Sequence, residues 1–216
     1  WFKDNHGKSD TRLAINSNLC PKDKLMDQLI EKSHYIKNFD VYTSAEAMGT
    51  RAEYIRDGMD FELWKKNCLR LINEGSLSGL HVMMTVNALC LDSLPEMIDL
   101  LVSWKRQYGP DYPNFTLNIL RFQSAVVLPT SIKNECIEQL TKQTHDYYKD
   151  LHGMELNQML RLIEYLKEVE SPHEGADNVD KLQSDFKNFY SQYDKRRGKD
   201  FANTFGNKMV TWYEQL

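Results

Sequence analysis

Cysteine is scarce in this chain, and its four copies are scattered. Cys20, Cys68, Cys90 and Cys136 are separated by 48, 22 and 46 residues, so no pair has the close spacing of a zinc or iron–sulfur ligand set. With no export signal in a chain of 216 residues, they read as structural thiols rather than a disulfide framework. No apolar run approaches the roughly 18 residues of a membrane span, which leads us to expect a cytoplasmic protein with no membrane partner. G-x-S-x-G, P-loop, G-x-G-x-x-G and H-E-x-x-H patterns are all absent, and no two of the six histidines stand at i, i+4. Hydrolase, nucleotide-triphosphatase, dinucleotide and zinc-protease readings therefore lack support. There is no surplus of positive charge either: the net charge is −4. A nucleic-acid partner is not expected, and the basic stretch Asp194 to Gly198 reads as a solvated helix end.

What is present is ordinary for a globular domain: 41% hydrophobic and 27% charged residues, enough to bury one core with a small appendage. The first residue is Trp and a polar stretch follows, which reads as part of a longer protein whose N-terminal portion is missing. Strand and helix patterns then alternate. Residues 13–17 read as a short buried strand, followed after Pro21 by a helix with Leu25, Leu29 and Ile36 on its apolar face. Residues 39–44 alternate as a strand and lead into one helical region at about 51–73. Residues 80–89 are strand-like, and Asp92, Ser93 and Pro95 open a helix through Leu100, Leu101 and Trp104. Residues 114–122 form a further strand, and Pro129 and Thr130 start a helix through Cys136 and Leu140. Beyond about residue 150 the pattern is helical only: 155–169, a Ser-Pro-His-Glu-Gly linker, 179–193, and a last amphipathic segment at 201–216. This predicts an α/β domain at 1–150, with about four parallel strands and flanking helices, and a helical C-terminal extension at 151–216.

The most informative run is 38–67. Its strand ends in Ser44, turns through Ala45-Glu46-Ala47-Met48-Gly49, and enters a helix carrying Arg56. In parallel α/β proteins ligands bind where a strand hands over to its helix. Ser44 and Glu46 can accept from hydroxyl or ammonium groups; they can equally just end a strand. The Arg56 fork can hold a carboxylate bidentately, or form an ion pair with Glu53 or Asp60 at helical spacing. Asn87 stands in the apolar run MMTVNAL, where its amide must find partners. Asn16 and Ser17 share that ambiguity, and Leu128-Pro129 reads as a hydrophobic turn opening a helix. Asp40 and Glu46 have no spacing that marks a glycosidase pair.

The same run carries a family likeness. TSAEAMG, then AEYIRDG, then the helix WKKNCLRLI resembles the fourth strand and following helix of radical SAM enzymes, and within them twitch-domain-containing radical SAM proteins. LAINSNL is similar to that family's third strand, residues 80–89 to the fifth and 114–122 to the sixth. FKNFYSQYDKRRGKDFANTF is similar to its C-terminal pattern. The resemblance implies the second half of a partial (β/α)6 TIM-like barrel. It also implies binding of S-adenosylmethionine, with Ser44 and Glu46 at its ribose and amino-acid moiety and Arg56 at its carboxylate. Asn87 would stand near the adenosyl group, and Leu128 against the adenine. In such enzymes a [4Fe–4S] cluster held by three close cysteines, reduced by a flavodoxin or ferredoxin, yields a 5′-deoxyadenosyl radical that abstracts hydrogen from a peptide or small-molecule substrate. This chain lacks the C-x-x-x-C-x-x-C loop, the G-G-E segment and the auxiliary cysteines. By itself it should be inactive, and the alternative is a non-catalytic half-barrel binding or scaffold protein. Either way, an open half-barrel is expected to expose an apolar edge at residues 13–18 and to be prone to associate.

Overall fold

The computed structural model describes residues 1–5, 9–120, 123–168 and 178–216. Four strands, β1 (Arg12–Asn16), β2 (Asn38–Ser44), β3 (Gly79–Val86) and β4 (Asn114–Ile119), form one sheet in the order β1-β2-β3-β4. Every pairing is parallel. The order never reverses, so right-handed crossovers bring the connecting helices α1 (Asp23–Ser33), α2 (Gly49–Ile55), α3 (Phe61–Glu74) and α4 (Leu94–Tyr108) to one face.

Side-chain alternation fits that layering. Phe39, Val41, Leu80, Val82, Met84 and Phe115 are at most 1% exposed and pack under the helices. Thr43 is the polar residue of this covered row, and the indole N–H of Trp64 on α3 donates to its hydroxyl at 2.9 Å. One turn further along α3, the Asn67 amide donates to the Leu19 carbonyl at 2.9 Å. That bond helps hold Leu19 at φ +50° in the turn after β1, a conformation few leucines adopt. The opposite face presents Arg12, Asp40, Tyr42, Ser44, His81, Thr85, Thr116 and Asn118, of which Arg12 and Asn118 are exposed.

Several boundaries differ from the sequence reading. Ile36 is buried but lies beyond α1, which ends at Ser33. The single helix expected at 51–73 is two, broken at Arg56 to Asp60, where Gly58 takes φ +82° and Asp60 caps α3 by accepting from Leu63 N–H. β3 stops at Val86, because Asn87 caps a 3-10 turn at Ala88–Asp92 instead of extending the strand. The expected reach of the fourth strand to residue 122, the helix end at 169, the linker at 171–175, and His6 and His173 lie outside the described residues.

The two sheet edges are treated differently. α5 (Thr130–Asp146) and α6 (Gly153–Glu168) follow β4. α6 turns two side chains onto the outer edge of β4: Phe115 N–H donates to Glu155 at 2.9 Å and Leu117 N–H to Gln158 at 2.6 Å. Glu155 also accepts from His152 N–H and pairs with Lys105 of α4 at 3.1 Å, both side chains being at most 3% exposed. Burial pulls the Lys105 ammonium below its ordinary value, against the pull of Glu155. At the other edge, Ser17 N–H donates inward to Tyr42. Alternation therefore turns the backbone groups of Arg12, Ala14 and Asn16 outward. Leu13 and Ile15 are half-buried, so the open edge is less apolar than expected.

The C-terminal helices α7 (Val179–Arg197), α8 (Phe201–Thr204) and α9 (Asn207–Gln215) close over α2. Tyr54 of α2 packs among Tyr190, Tyr193, Phe201 and Phe205. Its hydroxyl donates to Asp194 at 2.7 Å, and Asp194 also accepts from Phe201 N–H. Arg197 pairs with Asp57, and Lys199 donates to the Glu53 carbonyl. The basic stretch expected to be solvated is thus partly spent on this clasp, although Lys195 and Arg196 remain exposed. Among the described residues, no helix is long and apolar enough to cross a membrane.

The Lys105–Glu155 pair makes a measurable prediction. Glu155→Leu strands a buried ammonium and should cost about 3–5 kcal/mol in urea unfolding. The double variant Lys105→Met/Glu155→Leu should lose less than this single one. Equal losses would show that the ion pair is not what Glu155 contributes.

Candidate functional site

At the C-terminal end of β2 the chain leaves the sheet through Ala45, Glu46 and Ala47, each at most 1% exposed. Two small side chains flank a buried acid. Glu46 takes the place the next strand residue would fill: its Oε1 accepts from Thr85 N–H of β3 at 3.2 Å, so the ladder runs one step past Ser44. A buried carboxylate needs a cation, and Arg56, just past the end of α2, supplies it with a fork. Nε donates to Oε2 at 2.7 Å and Nη2 to Oε1. The Glu46 side chain is 2% exposed and that of Arg56 36%. The partner of Arg56 is therefore neither Glu53 nor Asp60 but the acid ten residues earlier, and its outer edge still meets solvent. Nearby, Arg51 pairs with Asp92 at 2.5 Å, and Asp92 accepts from Gly206 N–H, tying α2 to the C-terminal clasp.

The other expected positions separate. Ser44 lies on the open face, and its hydroxyl has no hydrogen-bond partner among the described residues. Asn87 is consumed locally: its Oδ1 accepts from Leu89 and Cys90 N–H, and its Nδ2 donates to the Thr85 carbonyl. Leu128 is 3% exposed, with its side chain in the core, and Pro129 precedes α5. Ser17 accepts from Leu19 N–H, while Asn16 is exposed at the end of β1.

The chemistry of the donors decides which cofactors fit. Among the described residues no three of Cys, His, Asp or Glu gather to hold a metal ion. Burial pushes the Cys68 and Cys90 thiols up, and that of Cys136 up to about 12, so none is poised as a thiolate. An iron–sulfur cluster does not fit these residues. The groups left available at this end of the sheet are the half-buried Ser44 hydroxyl and the outer edge of Arg56.

A second cluster, at the opposite end of the open face, escaped the sequence reading. Asp40 accepts from Arg12 Nε at 2.6 Å and meets His81 Nε2 at 3.1 Å. The His81 ring stacks on Tyr42 with centroids 4.5 Å apart, and Arg12 Nη2 reaches the Tyr42 hydroxyl at 3.3 Å. In the pairing register Asp40 stands between Ala14 and Gly79. These two small residues leave room for the long side chains of Arg12 and His81 to fold inward. A Cβ on Gly79 would come within 2.7 Å of His81 Nε2 and 3.0 Å of Asp40 Oδ1. Burial pushes the Asp40 carboxyl up, but the hydrogen bonds from His81 and Arg12 outweigh it and hold it below the usual range.

Two outcomes follow. Arg56→Gln leaves Glu46 buried without its cation and should lower stability by about 3 kcal/mol in chemical denaturation; a loss near zero would mean solvent already screens the pair. For Asp40 the folded value lies below the unfolded one. Its contribution is therefore complete above the ordinary value of 3.8 and is lost as pH falls through the folded value. Arg12→Gln removes one of the lowering partners, so acid unfolding should begin at a higher pH than in the parent. An unchanged acid midpoint would show that His81 alone sustains the shift. No protein-family model matches this chain, and neither a curated protein nor a solved structure matches it.

Proposed function

We propose that this chain forms the S-adenosylmethionine-facing wall of a radical SAM enzyme, as the second half of a partial (β/α)6 TIM-like barrel. The observation that carries the reading is a parallel sheet whose order never reverses, with helices on one face and a polar open face that ends at Ser44. A sheet wound in one sense, with ligand-accessible side chains at the strands' C-terminal ends, is how barrel enzymes build their sites. When bound, the cofactor pair would supply a 5′-deoxyadenosyl radical for hydrogen abstraction. The cluster ligands are not among the described residues, so they must come from elsewhere in the working enzyme.

On this reading the residues divide their labour. The Ser44 hydroxyl faces the ribose, and the outer edge of Arg56 faces the ligand's carboxylate. Glu46 acts through Arg56 by fixing its fork, rather than by touching ligand. Asn87 and Leu128 shape the rim from beneath, one by capping the turn after β3 and the other by filling the core behind α5. A second reading, a non-catalytic half-barrel binding protein, is favoured by one observation: among the described residues no group gathers that could hold the cluster.

Calorimetric titration with S-adenosylmethionine tests the first claim. Ser44→Ala should weaken binding by roughly 3–10-fold, the worth of one neutral hydrogen bond. Arg56→Lys, which keeps charge but loses the fork, should weaken it as well. Anaerobic reconstitution of the complete polypeptide with iron and sulfide then separates the two readings. 5′-Deoxyadenosine from a protein showing iron–sulfur absorbance supports the enzyme; cofactor binding with neither iron–sulfur absorbance nor 5′-deoxyadenosine supports the binding protein; failure to bind S-adenosylmethionine at all sinks both.

A further inference from the structure

The cluster at the N-terminal end of the open face serves no role in the reading above, yet it is built from three strands with unusual care. Asp40, whose side chain is 9% exposed, is the centre. An ionised carboxylate has only acceptors, so the hydrogen on the 3.1 Å contact belongs to His81 Nε2. That assigns the tautomer and leaves the Nδ1 lone pair as the free end of the ring. Nδ1 has no hydrogen-bond partner among the described residues, and the His81 side chain is 21% exposed. Tyr42 fixes the plane of the ring by stacking, and Gly79 leaves the space the ring's inner edge needs. Arg12 gives Asp40 a second donor, so the carboxylate stays charged while it holds the imidazole.

A base within hydrogen-bond reach of a carboxylate that sets its tautomer is the arrangement general acid–base catalysis requires. Among the other described histidines, His34 meets a backbone carbonyl, His145 its exposed neighbour Asp146, and His152 a backbone carbonyl and, at 3.4 Å, the exposed Asp111, so none is held by a buried carboxylate. Closed βα barrels work at the other end of their strands. Here the face is open along its length, so the lower end is reached from the side without passing the Ser44 rim.

We propose that His81 is the acid–base group of a second site on the open face, with Asp40 as its positioning residue. The group it serves is a protic O–H or N–H on a polar substrate. In the step, the substrate's proton moves to His81 Nδ1, the bonding electron pair stays on the substrate oxygen or nitrogen, and the imidazolium is stabilised by the Asp40 carboxylate. The reverse transfer returns the proton; no oxidant or reductant is needed. The substrate class follows from the neighbours, since the surrounding strand positions are Asn16, Tyr42 and Thr116, which offer an amide and hydroxyls. The inference deepens the enzyme reading by naming the kind of substrate. The dyad itself does not depend on S-adenosylmethionine.

The test uses diethyl pyrocarbonate on the whole chain, with peptide-level mass spectrometry. His145, whose side chain is 91% exposed, is the internal standard. His81 should be carbethoxylated at a rate comparable to His145 despite its lower exposure. Asp40→Asn should slow His81 roughly tenfold, the scale of one lost charge-assisted hydrogen bond, and leave His145 unchanged. Long-range proton–nitrogen NMR of the parent at pH 9 should show the hydrogen on Nε2, a readout that no variant's folding can confuse. An Nδ1–H tautomer, a His81 rate more than tenfold below that of His145, or indifference to Asp40→Asn would each overturn the proposal. Repeating the modification with S-adenosylhomocysteine separates the two sites. His81 should react unchanged, and failure of the nucleoside to bind would count only against the cofactor reading.

Discussion

The constraint on which this structure depends is a parallel sheet whose strand order never turns back. Each crossover is right-handed, so each helix falls on the same side. The consequence is unavoidable: one face is covered by apolar packing and the other is not. Parallel sheets are normally buried on both faces. This one meets the difficulty with composition, since the uncovered rows carry Arg12, Asp40, Tyr42, Ser44, His81 and Thr85 where the covered rows carry Phe39, Val41, Leu80 and Val82. The free-energy cost of the open face is thereby reduced, and the same side chains become available for chemistry.

A second consequence concerns backbone donors where strands end. The chain uses one device twice. Glu46 accepts from Thr85 N–H beyond the last residue of β2, and Glu155 accepts from Phe115 N–H along the outer edge of β4. A buried carboxylate completes a ladder that no strand continues, and each is matched by a cation from a neighbouring helical segment, Arg56 or Lys105. The two pairs differ in exposure. Lys105 is sealed at 1% and serves only the architecture, whereas Arg56 keeps 36% of its side chain in solvent. That difference makes Arg56 usable for a ligand and Lys105 not.

Local patterns explain what could be read from the sequence and what could not. β2 was legible because Phe39, Val41 and Thr43 alternate with polar residues within seven positions. The helix after it was legible as apolar surface but not as two helices, since the break rests on a positive φ at Gly58 and a cap at Asp60. Asn87 was misplaced because an amide in an apolar run looks the same whether it lies inside a strand or caps the turn that ends it. The Glu46–Arg56 pair was missed as a pair because helical spacing suggests partners at three and four residues, and here the partner lies across a turn. Asp40 and His81 are 41 residues apart. Their meeting is set by the β2–β3 register, with Asp40 opposite Gly79, and no single-strand pattern encodes a register.

That register also fixes how the two ends of the open face relate. His81 stands opposite Tyr42, so it lies one strand across and two residues down from Ser44, about 8 Å between Cα positions at the usual rise and strand spacing. A ligand seated against Ser44 and Arg56 therefore reaches His81 by extending two residues down the sheet. Met83 and Thr116 share the Ser44 row and Tyr42 the His81 row, which makes a mostly polar floor with one soft apolar side chain. A molecule lying along this floor would present one end to the Ser44 rim and a protic group to His81. Size thus discriminates where charge does not: the net charge of the Arg12–Asp40 pair is zero, so the lower site selects by hydrogen-bond geometry and reach. The helix layer fixes the strands, the strands fix the separation, and that separation sets the length of the molecule that can use both ends.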